Sequence, residues 1–81
     1  MTNSEIFDEI EKEEKMRNTL IDAVKKHAEG IIAKHKANVE IILTKTVAVA
    51  EHPDIIETIE KELDIIAKYN DQLEILKKYF K

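Results

Sequence analysis

The chain has no cysteine and no tryptophan, and its 81 residues include one glycine and one proline. Without thiols there is no disulfide framework, no cysteine-held zinc or iron–sulfur centre and no thiol nucleophile. Any metal site would have to be built from histidine and carboxylates. One glycine and one proline cannot furnish the closely spaced reversals of a sandwich, a barrel or repeated βαβ units. Aromatic residues make up only 5% of the chain. No apolar run approaches the roughly eighteen residues of a membrane span, and the acidic opening MTNSEIFDEIEKEE lacks the basic start of a signal peptide. These absences predict a single all-α domain over residues 1–81, cytoplasmic and without a membrane segment.

What is present is charge and periodic apolar residues: 37% of the chain is charged and 43% hydrophobic. Thr2 and Glu5 have the spacing of a capping box, with Met1 and Ile6 placed as a hydrophobic staple, so a helix is expected to begin near Asn3. The strong break is Pro53, which disfavours helical geometry at His52 and suits the first position of a new helix. Asp54 and Glu57 would then sit at the positive end of the second helix and Lys77, Lys78 and Lys81 at its negative end. The expected elements are helices over about 3–51 and 53–79, forming a long helical hairpin.

Placed at about 100° per residue, Leu20, Ile21, Val24, Ala28, Ile31, Ile32, His35, Val39, Ile42, Leu43, Thr46, Val49 and Ala50 share one stripe of the first helix. The stripe passes Gly30 without changing phase. Because glycine costs only about 1 kcal/mol in a helix interior, a continuous helix is favoured there, with a break near Gly30 and a three-helix monomer as the alternative. Leu20-Ile21, Ile31-Ile32 and Ile42-Leu43 recur every eleven residues, a period that favours a straight or slightly right-handed helix over a strict heptad supercoil. In the second helix Ile55, Ile56, Ile65, Ile66, Leu73, Leu76 and Phe80 span nearly half the circumference.

Two antiparallel helices bury one narrow seam, so this width predicts further helices. Reversal about Pro53 would place residues whose numbers total about 106 opposite one another, with Lys81 beside Lys25 and residues before Asp22 overhanging. The expected solution is self-association into an antiparallel helical bundle, a dimer being favoured, with Leu20, Ile21, Ile31, Ile32, Ile42, Leu43, Ile55, Ile66, Asn70 and Leu73 at the contact. Asn70, between Ile66 and Leu73, is a candidate for an interhelical hydrogen bond that sets register. Ile6, Phe7 and Ile10 near one end and Tyr79 and Phe80 near the other are the candidates for contact with a protein partner.

Charge is segregated, with net values of −5 over 1–14, +4 over 15–36, −5 over 51–64 and +2 over 65–81. Such blocks can steer helices into register, an acidic arm finding a basic stretch of a neighbour. The basic block lacks the interleaved aromatics of a nucleic-acid face, so nucleic-acid binding is disfavoured. His27 and His35, with Glu29 and Glu40 near in sequence, are the only metal candidates. Eight residues separate the two by about 12 Å of rise, too far to chelate one ion, and His52 reads as a turn residue. No histidine has a glutamate three positions before it, which excludes the di-iron bundle pattern, and no phosphate-cradling glycine loop exists. No catalytic residue, metal or cofactor is therefore expected. The reading is a non-enzymatic protein–protein interaction module: an oligomeric adaptor, assembly factor or inhibitor. The alternatives are a binder of small anionic, nucleotide-like ligands, with Lys25, Lys26 and Lys34 as contacts between protomers, and a structural assembly protein.

Overall fold

A computed structural model describes residues 3–45 and 54–81 of the chain. Helix α1 runs Asn3–Thr44 and helix α2 Ile55–Tyr79, packed against each other as an extended hairpin. The molecule measures 72 × 17 × 13 Å and has a radius of gyration of 20.4 Å, where a compact domain of this length would have about 12 Å. It is a rod one helix-pair wide.

Gly30 lies inside an unbroken α1, which overturns the alternative of a break and a third helix. A β-carbon at Gly30 would meet nothing within 4 Å, so the glycine faces open space while the flanking Ala28, Ile31 and Ile32 pack inward. Nothing at this position pulls the helix apart.

The helix ends earlier than 51. Thr44 is its last residue, Lys45 is no longer helical, and the Lys45 amide reaches back only three residues to the Ile42 carbonyl at 3.4 Å. The Thr44 hydroxyl donates to the Ile41 carbonyl at 3.1 Å, and the β-branched run of Thr44, Thr46 and Val47 has low helix propensity. The expected stripe positions Thr46, Val49 and Ala50, the helical geometry foreseen for 46–51, the Pro53 start and the Met1 and Thr2 cap lie outside the described residues. At the other helix, the Asp54 carbonyl accepts from the Thr58 amide at 3.0 Å and from its hydroxyl at 3.2 Å, and the Phe80 amide closes the last turn on the Leu76 carbonyl at 3.0 Å.

The early stop resets the register. His35 meets Glu62, the rings of His27 and Tyr69 meet, and Arg17 reaches Lys81, so facing residue numbers total about 97 rather than 106. Lys81 therefore lies beside Arg17, not Lys25. Residues 3–12 of α1 extend past the end of α2, while Glu13 and Met16 border a groove with Leu76 and Phe80.

The seam itself shows heptad spacing, and within it eleven-residue steps persist, as from Ile21 to Ile32 and from Ile31 to Ile42. On α2 the inward residues are Ile55, Ile59, Glu62, Ile66, Tyr69, Leu73 and Leu76, bordered by Ile65; on α1 they are Ile21, Ala28, Ile31, His35, Asn38 and Ile42, bordered by Ile32 and Val39. Alternating steps of three and four keep a stripe facing one partner helix. One member of several doublets is left outside: Leu20, Leu43 and Ile56 are exposed while Ile21, Ile42 and Ile55 are half-buried. Asn70 is also exposed, and Tyr69 takes the inward position that had been expected of it.

Candidate functional site

Two features of the hairpin stand apart from plain apolar packing. The first is a polar cluster in mid-seam. Heptad phase brings His35 and Asn38 of α1 and Glu62 of α2 to inward positions, where the His35 side chain is 14% and that of Glu62 19% exposed. His35 Nδ1 hydrogen-bonds Glu62 Oε2. Because an ionised carboxylate only accepts, Nδ1 carries the hydrogen and donates. The Asn38 amide adds two long bonds to the same carboxylate, 3.5 Å to Oε1 and 3.4 Å to Oε2. The hydrogen bond from His35 is the main cause that holds the Glu62 carboxyl below its ordinary value of 4.5; partial burial opposes it, while Asn38 and the charges of His35 and Lys34 add to it.

A histidine oriented by a carboxylate is half of a general-base arrangement, and here the bond that orients His35 also joins the two helices. Among the described residues, no three of His, Cys, Asp and Glu gather closely enough to hold a metal ion. His27, the other metal candidate, is turned edge-on to Tyr69 with centroids 5.9 Å apart. The cluster favours one alignment, since a one-heptad slip would set His35 against Ile55 or Tyr69 and Glu62 against Ala28 or Ile42. The apolar stripes that bring in His35 and Asn70 do not single out Glu62 or Asn38. Their spacing from Ile59 and Ile66, and from Ile31 and Ile42, would have revealed them had the heptad been traced through polar positions.

The second feature is the open end of the hairpin, where α2 finishes. Phe80 is wedged between two grooves of about 580 and 540 Å³. The larger is bordered by Ile21, Leu73 and Leu76, with Lys25, Lys77 and Lys81 and the acids Asp22 and Glu29 at its edge. The other is lined by Met16, Leu20, Ile21, Leu76 and Phe80 with Glu13 and Arg17. A smaller hollow bounded by Val24, Gln72, Ile75 and Phe80 joins the same face.

Among the described residues Ala28, at 1% exposure, is the only buried hydrophobic one, whereas thirteen large hydrophobic side chains are between 43% and 67% exposed. Of the residues proposed for self-association, Ile21, Ile31, Ile32, Ile42, Ile55, Ile66 and Leu73 are half-buried in the hairpin's own seam, and Leu20, Leu43 and Asn70 face outward. Ile6, Phe7 and Ile10 are exposed on the overhang, and Tyr79 and Phe80 at the other helix's end, with the Lys78 ammonium 5.2 Å from the Tyr79 ring centroid.

The three lysines named for an anion do not converge. Lys34 lies about 180° around α1 from Lys25, and Lys26 is paired with Asp22 at 2.9 Å, which raises its pKa. Only Lys25 lies on the larger groove. No described helix is long and apolar enough to cross a membrane. No protein-family model matches the chain, and no curated protein or solved structure is significantly similar to it.

Proposed function

We propose that the chain is a non-enzymatic, homo-oligomeric helical module of the cytoplasm that works by binding protein, as an adaptor, assembly factor or inhibitor. The observation that carries this reading is the surface. The hairpin exposes 6906 Å², where a compact folded monomer of 9.4 kDa would expose about 5,000 Å². The excess, about 1,900 Å² per chain and so about 3,800 Å² for a pair of chains, lies in the range that obligate homodimer interfaces bury. Much of it is apolar, at Ile6, Phe7, Ile10, Met16, Leu20, Val24, Ile75, Tyr79 and Phe80, so association removes it from water. Charge at the rim then selects orientation.

The test is to replace Phe7 and Ile10 together with Asp. Helicity by circular dichroism stays, because both residues lie on the overhang, and association measured by sedimentation drops to monomer. Unchanged sedimentation would remove this face from the reading.

Binding of a small anion is the second reading, favoured by one observation: Lys25, Lys77 and Lys81 share the groove of about 580 Å³. Asp22 and Glu29 on the same groove offset two of the three charges, which makes this the weaker reading. A thermal-shift series with phosphate and nucleotides decides it, and a flat series counts against it.

A further inference from the structure

We propose that the exposed flank of α1 is covered by the same flank of a second copy, antiparallel, about a two-fold axis level with residue 15. This rests on the homo-oligomeric reading and names its interface and register. Ile6, Ile10, Glu13, Arg17, Leu20 and Val24 recur in steps of four and three, so they form one stripe of α1, which overlaps the edge of the stripe that packs on α2 where Val24 borders Ile75 and Leu76. The four apolar members are all exposed in the single chain.

The stripe is self-complementary in one direction. In an antiparallel register, Ile6 faces Val24, Ile10 faces Leu20 and Glu13 faces Arg17 of the second copy, each contact repeated by the two-fold. Every apolar side chain meets an apolar one and every acid a base. Met16, one residue from the level of the axis, lies near Met16 of the second copy. A parallel, in-register pairing of the same stripe would set Glu13 on Glu13 and Arg17 on Arg17, which is repulsive. Pairing only the two overhangs would put two segments of net charge −5 together. The antiparallel register instead lays the acidic overhang of one copy along the basic block of the other, whose net charge over 15–36 is +4.

The surface fits this occupant. An overhang in that register runs along the groove of about 540 Å³ between Leu20 on α1 and Leu76 and Phe80 on α2. Phe7, on the edge of the stripe nearest α2, then reaches Ile75 and Leu76 of the other copy. Arg17 in the single chain donates one exposed bond of 3.3 Å to the Lys81 carbonyl, and its guanidinium retains further donors for a carboxylate. With about 1,900 Å² of excess surface on each chain, enough area exists for a stable dimer.

The charge pair supplies the test. Wild-type chain, Glu13→Arg, Arg17→Glu and the double variant Glu13→Arg with Arg17→Glu are compared by sedimentation, with circular dichroism to verify helicity. Each single variant sets like charges against each other twice and weakens self-association about tenfold or more. The double variant restores it, and an equimolar mixture of the two single variants forms a heterodimer, because both contacts are again acid to base. In parallel, Ile10→Cys chain is mixed with Leu20→Cys chain, each in an otherwise cysteine-free background, and gives a disulfide-linked heterodimer in preference to either homodimer.

A wild-type dimer that is indifferent to the single charge reversals, or cysteine chains that cross-link without preference, would overturn the register while leaving the oligomeric reading in place. A wild-type chain that sediments as a monomer at high concentration would overturn both.

Discussion

His35 on α1 donates from Nδ1 to Glu62 on α2, 27 residues along the chain, and this bond crosses the middle of an otherwise apolar seam. It holds the helices in one of several heptad registers that isoleucine packing alone would tolerate, because only one register gives these polar groups each other.

Stability is expected to fall on acidification through the loss of this contact. The folded value of Glu62 lies below its unfolded value, so its contribution is fully present above the unfolded value and disappears as pH falls through the folded one. Melting followed by circular dichroism from neutral pH to below 4.5 should show a fall in transition temperature, and Glu62→Gln should flatten that fall. An identical pH profile for Glu62→Gln would assign the acid response to other carboxylates.

Replacing only Glu62 or only His35 with Leu leaves the other polar group half-buried without its partner, and each is expected to lower the transition temperature by several degrees. Replacing both with Leu, together with Asn38→Leu so that no polar group is left without its partner, completes an apolar heptad seam and should raise it above the wild type, with looser register. Register is read by spin labels on α1 and α2, which should report one separation in the wild type and a spread in the triple variant. A triple variant less stable than either single one would mean that the cluster is a net source of stability.

Gly30→Ala is expected to stabilise the chain by about 0.5–1 kcal/mol, since glycine loses more backbone entropy than alanine in a helix interior. There is room for the added methyl, with nothing within 4 Å. The transition temperature of the helical signal measures this, and a decrease would show that Gly30 is needed for close approach of another chain or for bending.

Much of the helical framework was legible in the residues. Apolar spacing, one glycine and one proline imply a two-helix hairpin, and α2 was expected within two residues of where it lies. The doublets announced a surplus of apolar surface, and Leu20, Leu43 and Ile56 do remain outside the seam. Asn70 was misplaced because its proximity to Ile66 and Leu73 in a 100° projection hid the fact that Tyr69 completes the heptad. Asn38 and Glu62 were missed because the apolar stripes, which bring in His35 and Asn70, do not single them out.

The sequence by itself determined that the described residues form long amphipathic helices with segregated charge, since helix formation and amphipathicity are settled by near neighbours along the chain. Only the tertiary structure decided that α1 stops at Thr44, that facing numbers total about 97, and that His35, Asn38 and Glu62 meet. Those facts depend on where the chain reverses and which groups satisfy one another across the seam. A shift of one heptad leaves every local preference unchanged while exchanging every partner, so contact between the helices had to choose among them.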